Sequence, residues 1–244
     1  MAIKILLDRS HLEELYDLPR AFDSYDYLFF HAEENLLNYD LSEYDVVILG
    51  NPCAYVTNKL QQSGQFLAEE LNNLVQYIKD GGSVFITWGP PLEENPYRVP
   101  AIKYFSKLIG LRHIFEGYLF SADTPDKGTR IVINAEKSHP IFQKTEEFTV
   151  DHASLFLPSA KTKILASSPS ECNYLFKPSK IKRNIKSGPI LVERRYFQGK
   201  ILSCSSTKMF TNISKSDQSF DMNRKFFHSI VEYLAPKQDP FEEF

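Results

Sequence analysis

The chain has 244 residues, of which 43% are hydrophobic and 24% charged. That balance excludes wholesale disorder and leaves enough apolar surface to fold without a disulfide or metal staple. The net charge is −3, and three cysteines with no CxxC pair argue against a secreted disulfide framework or a zinc ribbon.

Ile3–Leu7 is a short apolar run closed by Asp8-Arg9-Ser10, the pattern of a buried first strand. Leu12, Leu15, Tyr16, Leu18 and Phe22 follow with a mostly helical spacing interrupted by Pro19, and Tyr27–Phe30 is a second apolar run. Val46-Val47-Ile48-Leu49 is β-branched, fully apolar and stopped by Gly50-Asn51-Pro52, which predicts a central strand of a parallel sheet. Phe66, Leu67, Leu71, Leu74, Val75 and Ile78 recur at three-to-four spacing, with Lys79 and Gly81-Gly82 as the stop signal of an amphipathic helix. Ser83–Trp88 is strand-like again, so 46–88 reads as a right-handed βαβ unit.

Beyond residue 92 the spacing predicts a helix over 99–109. Short strand-like runs follow at 115–120, 130–134, 164–166, 173–176 and 189–197, separated by turn residues. Lys200–Ser205 returns to buried-strand character, and Asp221–Leu234 reads as a closing helix. The expected fold class is α/β: a flavodoxin-like parallel sheet with helices on both faces. One domain is expected over 1–235, with a β-rich insertion over 111–199 and a frayed tail over 236–244. No apolar run approaches the ~18 residues of a membrane span, and Met1–Asp8 leads into a strand rather than a signal peptide. A cytoplasmic protein is therefore expected.

Charge is unevenly spread. Residues 1–50 hold eleven acids against Lys4, Arg9 and Arg20, whereas residues 177–200 hold eight bases against Glu193 alone. Such a basic block can contact phosphate backbones, but on an acidic protein it reads first as a solvated hairpin. Nucleic acid is thus an unfavoured partner.

Four segments carry a family resemblance. Glu43-Tyr44-Asp45-Val46-Val47-Ile48-Leu49, the helix–Gly81-Gly82–strand stretch over 74–86, Ser138-His139-Pro140-Ile141-Phe142, and Gly199–Ser203 followed by Asp221–Phe227 stand in a telling order. Together they resemble the class I glutamine-amidotransferase-like superfamily, in its non-catalytic branches: the GIFT-type domains of intraflagellar-transport proteins and the trehalose-utilisation-like proteins. The resemblance implies a cysteine nucleophile on a sharp strand-to-helix elbow, with a downstream His-Glu pair. Aligned on Gly89, the nucleophile position here is Thr87, followed by Trp88, and Pro90-Pro91 removes two N–H donors. The family chemistry is therefore expected to be lost.

Independently of the family, Asp8, Arg9, Ser10, Asn51 and Thr87 should lie at the carboxyl ends of parallel strands, where open α/β sheets bind ligands. Trp88 there either offers a stacking face or packs over the strand ends, and His139 is either a pocket-rim group or an anchor for its turn. Cys53, Cys172 and Cys204 read as small hydrophobes, with Cys53, beside the site, the one weighed as reactive. Glu93 and Glu94 are adjacent acids in a polar loop. His11, His31, His113, His139, His152 and His228 show no metal-ligand spacing, and no Gly-rich phosphate loop occurs, so neither metal nor cofactor is expected. The leading expectation is a non-catalytic module that binds a protein or a small polar ligand, a carbohydrate included. The second is a hydrolase-type enzyme using polar residues at the strand edge. The acidic aromatic tail Asp239-Pro240-Phe241-Glu242-Glu243-Phe244 reads as a short linear motif or as plain disorder.

Overall fold

The computed structural model describes residues 2–11, 18, 27–58, 61–89, 98–114, 117–121, 130–134, 138–169, 172–176, 182–185, 187–206, 209 and 218–235. Their strands in the first half are β1 (Ile3–Asp8), β2 (Tyr27–Ala32), β3 (Val46–Gly50), β4 (Cys53–Asn58), β5 (Gln61–Ser63), β6 (Ser83–Thr87) and β7 (Arg98–Pro100). The second half adds β8 (His113–Ile114), β9 (Gly117–Ser121), β10 (Arg130–Asn134), β11 (Glu147–Asp151) and β12 (Leu155–Phe156). It ends with β13 (Lys163–Ser167), β14 (Cys172–Phe176), β15 (Lys182–Ile185), β16 (Pro189–Tyr196) and β17 (Gly199–Cys204).

Seven strands form the central sheet in the order β13-β16-β17-β6-β3-β1-β2. From β2 to β17 every neighbouring pair is parallel, while β16 runs antiparallel to β17 and β13 to β16. Counted alone, the parallel strands have the flavodoxin-like order 2-1-3-4-5, whose topological switch point lies between β1 and β3. β3 and β6 lie side by side in register from Val46↔Ser83 to Gly50↔Thr87.

Both strands are buried along their whole length, because alternate side chains feed two separate cores. Ile5, Leu7, Val46, Ile48 and Phe85 pack with Phe226, Phe227, Ile230 and Val231 of the closing helix Gln218–Leu234. Leu6, Val47, Leu49, Val84 and Ile86 pack with Leu71, Leu74, Tyr77 and Ile78 of the helix Ala68–Lys79. That second helix ends as its sequence predicts. Gly81 takes φ +109, a conformation closed to most side chains, and Gly82 N–H donates to the Tyr77 carbonyl at 2.9 Å.

The structure departs from the sequence reading in the middle of the chain. Residues 98–100 form strand β7 and only Lys103–Leu108 is helical, since Pro100 denies a long helix its backbone donor. The β4–β5 hairpin carries too little apolar alternation to announce itself. β13 and β16, expected within the insertion, extend the central sheet instead, pairing onto β17. The helix expected over 11–22 and the tail over 236–244 fall largely or wholly outside the described residues. Among the described residues, no helix is long and apolar enough to cross a membrane.

Candidate functional site at the strand carboxyl ends

The switch point brings β1, β2, β3 and the start of the helix Ala68–Lys79 together. Asp8 ends β1 fully buried, and its Oδ1 accepts from the Ser10 backbone N–H at 3.0 Å and from Ser10 Oγ at 2.7 Å. Its Oδ2 lies 2.6 Å from Nδ1 of His11, which is also buried. The other imidazole nitrogen, Nε2, faces Glu70 Oε2 at 3.4 Å. Glu70 in turn accepts from Leu36 N–H at 2.9 Å and from Leu67 N–H at 2.8 Å. The carboxylate thus caps the helix start and ties it to the segment after β2. Phe66 stacks on the His11 ring with centroids 3.7 Å apart.

Burial alone would depress the His11 pKa. The hydrogen bond and charge of Asp8, reinforced by Glu70, outweigh it and raise the pKa above its ordinary value. Ser10 Oγ sits 2.9 Å from His11 Nδ1, but its hydroxyl proton is directed to Asp8 Oδ1. Asp8 also holds the very nitrogen that a serine base would need free. The cluster is built to hold a charge in place.

Beside it, Asn51 adopts φ +56, which its short polar side chain tolerates. Its N–H donates to the Thr87 carbonyl at 3.0 Å, and its Oδ1 accepts from Gly89 N–H at 3.2 Å. These bonds lace the ends of β3 and β6 together. Thr87 is fully buried, and its Oγ1 has no hydrogen-bond partner among the described residues. Trp88 is fully buried too, packed against His113 at 5.1 Å and Phe156 at 6.2 Å between centroids. It covers the strand ends and presents no face to solvent. Arg9 is exposed enough to reach outward, where Nη1 pairs with Glu33 Oε1 at 3.0 Å.

His139 does not join this group. It precedes the turn Pro140–Phe142 and lies 3.6 Å from Glu193 Oε2, beside Tyr233. Lys200, near the start of β17, donates to the Tyr233 carbonyl at 2.9 Å, which places this cluster toward the opposite, amino ends of the strands. Ile141 and Phe142 are fully buried, so the segment anchors its turn to the core. Cys172 is buried, and burial pushes the Cys204 thiol up to about 12, where it is not nucleophilic. The Cys53 side chain, Glu93, Glu94 and Pro90-Pro91 lie outside the described residues. The basic block is divided: Arg194 is buried, Lys200 is tied to the closing helix, and Arg195 lies 3.8 Å from Glu193. Among the described residues, no cluster of His, Cys, Asp and Glu has a geometry that could hold a metal ion.

Two features escaped the sequence reading. The Asp8–His11 spacing is a local signal, but Glu70 lies 59 positions beyond His11 in sequence, so the trio is a product of the fold. Next to it, Gln65, Phe66, Ala68, Leu71, Ala101, Lys103, Tyr104 and Lys107 line a groove of about 530 Å³. Ala101 N–H bonds the Pro52 carbonyl at 3.0 Å, which fixes the groove directly outside the end of β3.

No family model matches the chain, and no curated protein matches it by sequence. Solved structures do. The chain superposes on the mmIFT52 N-terminal domain with TM-score 0.67 at 16% identity, covering 96% of this chain and 99% of that one. The fold is the amidotransferase-like one. The same fold relates the chain to the cytoplasmic protein STM3548 from Salmonella typhimurium, with TM-score 0.58, 14% identity, and 96% and 100% coverage. A thua-like protein from Bacteroides uniformis follows with TM-score 0.53, 13% identity, and 95% and 91% coverage. Thr87, Trp88 and Gly89 all have negative or extended φ, whereas Asn51, just after β3, is left-handed.

Proposed function

We propose that this chain is a non-catalytic, protein-binding module of amidotransferase-like fold, formed as one unit over 1–235 with 236–244 as an appended tail. A filled strand edge beside an exposed apolar groove carries the reading. Asp8, Asn51, Thr87 and Trp88 are each at most 1% exposed, so the strand edge where open α/β sheets bind small ligands is packed with side chains. Just outside it, Leu67, Tyr104 and Leu108 are 51%, 60% and 38% exposed. Clustered apolar exposure with a polar rim is the mark of an interaction surface. The likeness to the mmIFT52 N-terminal domain is consistent with this reading. A cytoplasmic setting fits it as well.

The experiment replaces Tyr104 with a photo-crosslinking amino acid in cells, with exposed Val132 as the control position. Covalent capture of a protein from position 104 and none from 132 is expected. No capture from 104, together with a melting shift by a monosaccharide or amino-acid panel that disappears in Asp8→Asn, would return the site to a small ligand. Glutaminase or esterase turnover abolished by Thr87→Ala or Ser10→Ala would make the chain an enzyme.

A further inference from the structure

The groove has a chemistry that narrows its partner, given the protein-binding reading above. Its floor is apolar, built from Phe66, Leu71 and Ala101, and Tyr104 stands at its rim. Lys103 and Lys107 lie one helical turn apart on the same short helix, both exposed. Neither ammonium has a carboxylate partner within ion-pair distance among the described residues. Two unneutralised cations beside an apolar trough select an acidic segment with an aromatic anchor.

The chain carries such a segment: Asp239-Pro240-Phe241-Glu242-Glu243-Phe244. Its own copy is badly placed to use it. Ser83 Oγ donates to the Leu234 carbonyl at 2.7 Å, so the closing helix ends at the amino ends of the strands. That helix packs on one face of the sheet, and the groove lies at the carboxyl ends on the other. Going around the sheet means about 20 Å along a strand and roughly 20 Å across two layers. Even the nine residue steps from Ala235 to Phe244, fully extended, span at most about 32 Å. We propose that the groove receives the acidic aromatic tail, residues 239–244, of a second copy of this chain. Asp239, Glu242 and Glu243 then face Lys103 and Lys107, while Phe241 or Phe244 fills the trough. The contact is head-to-tail, so association builds with concentration.

Light scattering on the full chain tests this with two defective variants, one in the groove (Lys103→Glu/Lys107→Glu) and one in the tail (Phe241→Ala/Phe244→Ala). The wild type is expected to gain mass above the monomer as concentration rises, and each variant alone to remain monomeric. Mixing the two variants should restore association, because one keeps an intact tail and the other an intact groove. A labelled peptide of residues 236–244 should saturate the tail variant and bind the groove variant at least about tenfold more weakly, with affinity falling as salt rises. Reversing the tail charges (Asp239→Lys/Glu242→Lys/Glu243→Lys) within the groove variant should restore self-association. Lys103 and Lys107 lie outside the packed cores, and an unchanged melting curve confirms that each variant is folded. A monomeric wild type with no peptide saturation up to about 1 mM overturns the proposal, as does a wild type that associates while the mixture stays monomeric. If position 104 still captures a different protein in cells, the tail proposal falls and the protein-binding reading stands. If it captures nothing, both fall.

Discussion

Two buried histidines, His139 and His11, meet opposite fates in this molecule, and the charges facing each one account for them. Burial lowers the pKa of a third, His113, to about 3. His139 has Glu193, but burial dominates, with Lys163 and Arg195 adding positive charge, and its pKa is lowered. His11 lies between Asp8 and Glu70, and its pKa is raised although it is as little exposed as His139. Desolvation sets the default for an interior imidazole, and only paired anions reverse it. Of these three, the fold spends two buried carboxylates on the one beside the switch point.

The largest expected effect comes from breaking that pair. Asp8→Ala leaves the His11 cation with Glu70 alone and orphans Ser10. It should cost about 3–5 kcal/mol in urea unfolding at pH 6, the range for a buried ion pair cut on one side. A loss below about 1 kcal/mol would mean that His11 is neutral and the comparison is wrong. Glu70→Gln is milder. The amide oxygen can still accept from Leu36 or Leu67, but not with both oxygens as now, so about 1–3 kcal/mol is expected from the same measurement.

Strands β1, β3 and β6 were legible because parallel strands covered on both faces read as near-continuous apolar runs, here Ile5–Leu7, Val46–Leu49 and Val84–Ile86. The closing helix was legible from Phe226, Phe227, Ile230 and Val231. Asp8, Ser10, Asn51 and Thr87 could be set on one rim because sheet topology alone decides where strand ends go. Long-range closure could not be read. Glu70 looks like a solvated first-turn acid of its helix until the segment after β2 and His11 fold onto it. Lys103, Tyr104 and Lys107 look like any solvent face until Phe66 and Leu71 appear opposite them. Trp88 had two equal readings because a tryptophan that stacks and one that packs have the same neighbours in sequence.

The pH dependence separates the histidines by sign. A raised pKa means that the stability contributed by His11 is complete below the ordinary histidine value, about 6.5, and is lost as pH rises through the raised one. The stability difference between the wild type and His11→Gln should therefore shrink from pH 6 toward pH 9. Subtraction removes the contributions of the other histidines. A difference that grows with pH would reverse the assignment of charge to His11.

The His139 cluster should respond less to mutation. Glu193 also accepts from the Tyr233 hydroxyl and neighbours Arg195, so His139→Leu leaves no carboxylate unpaired. It should cost only about 1 kcal/mol in urea unfolding. The smallest effect sharpens the electrostatic argument with little structural change. Lys163 is exposed and contributes to lowering the His139 pKa, after burial and against the pull of Glu193. Lys163→Ala should raise that pKa, read from the imidazole proton shifts in an NMR titration. Because a lowered histidine loses its stabilising contribution as pH falls below about 6.5, the variant should also lose less stability on acidification than the wild type. The rise should shrink at high salt, since the lysine acts through solvent. An unchanged His139 titration would assign its lowering to burial and Arg195, and the contrast with His11 would then stand without help from Lys163.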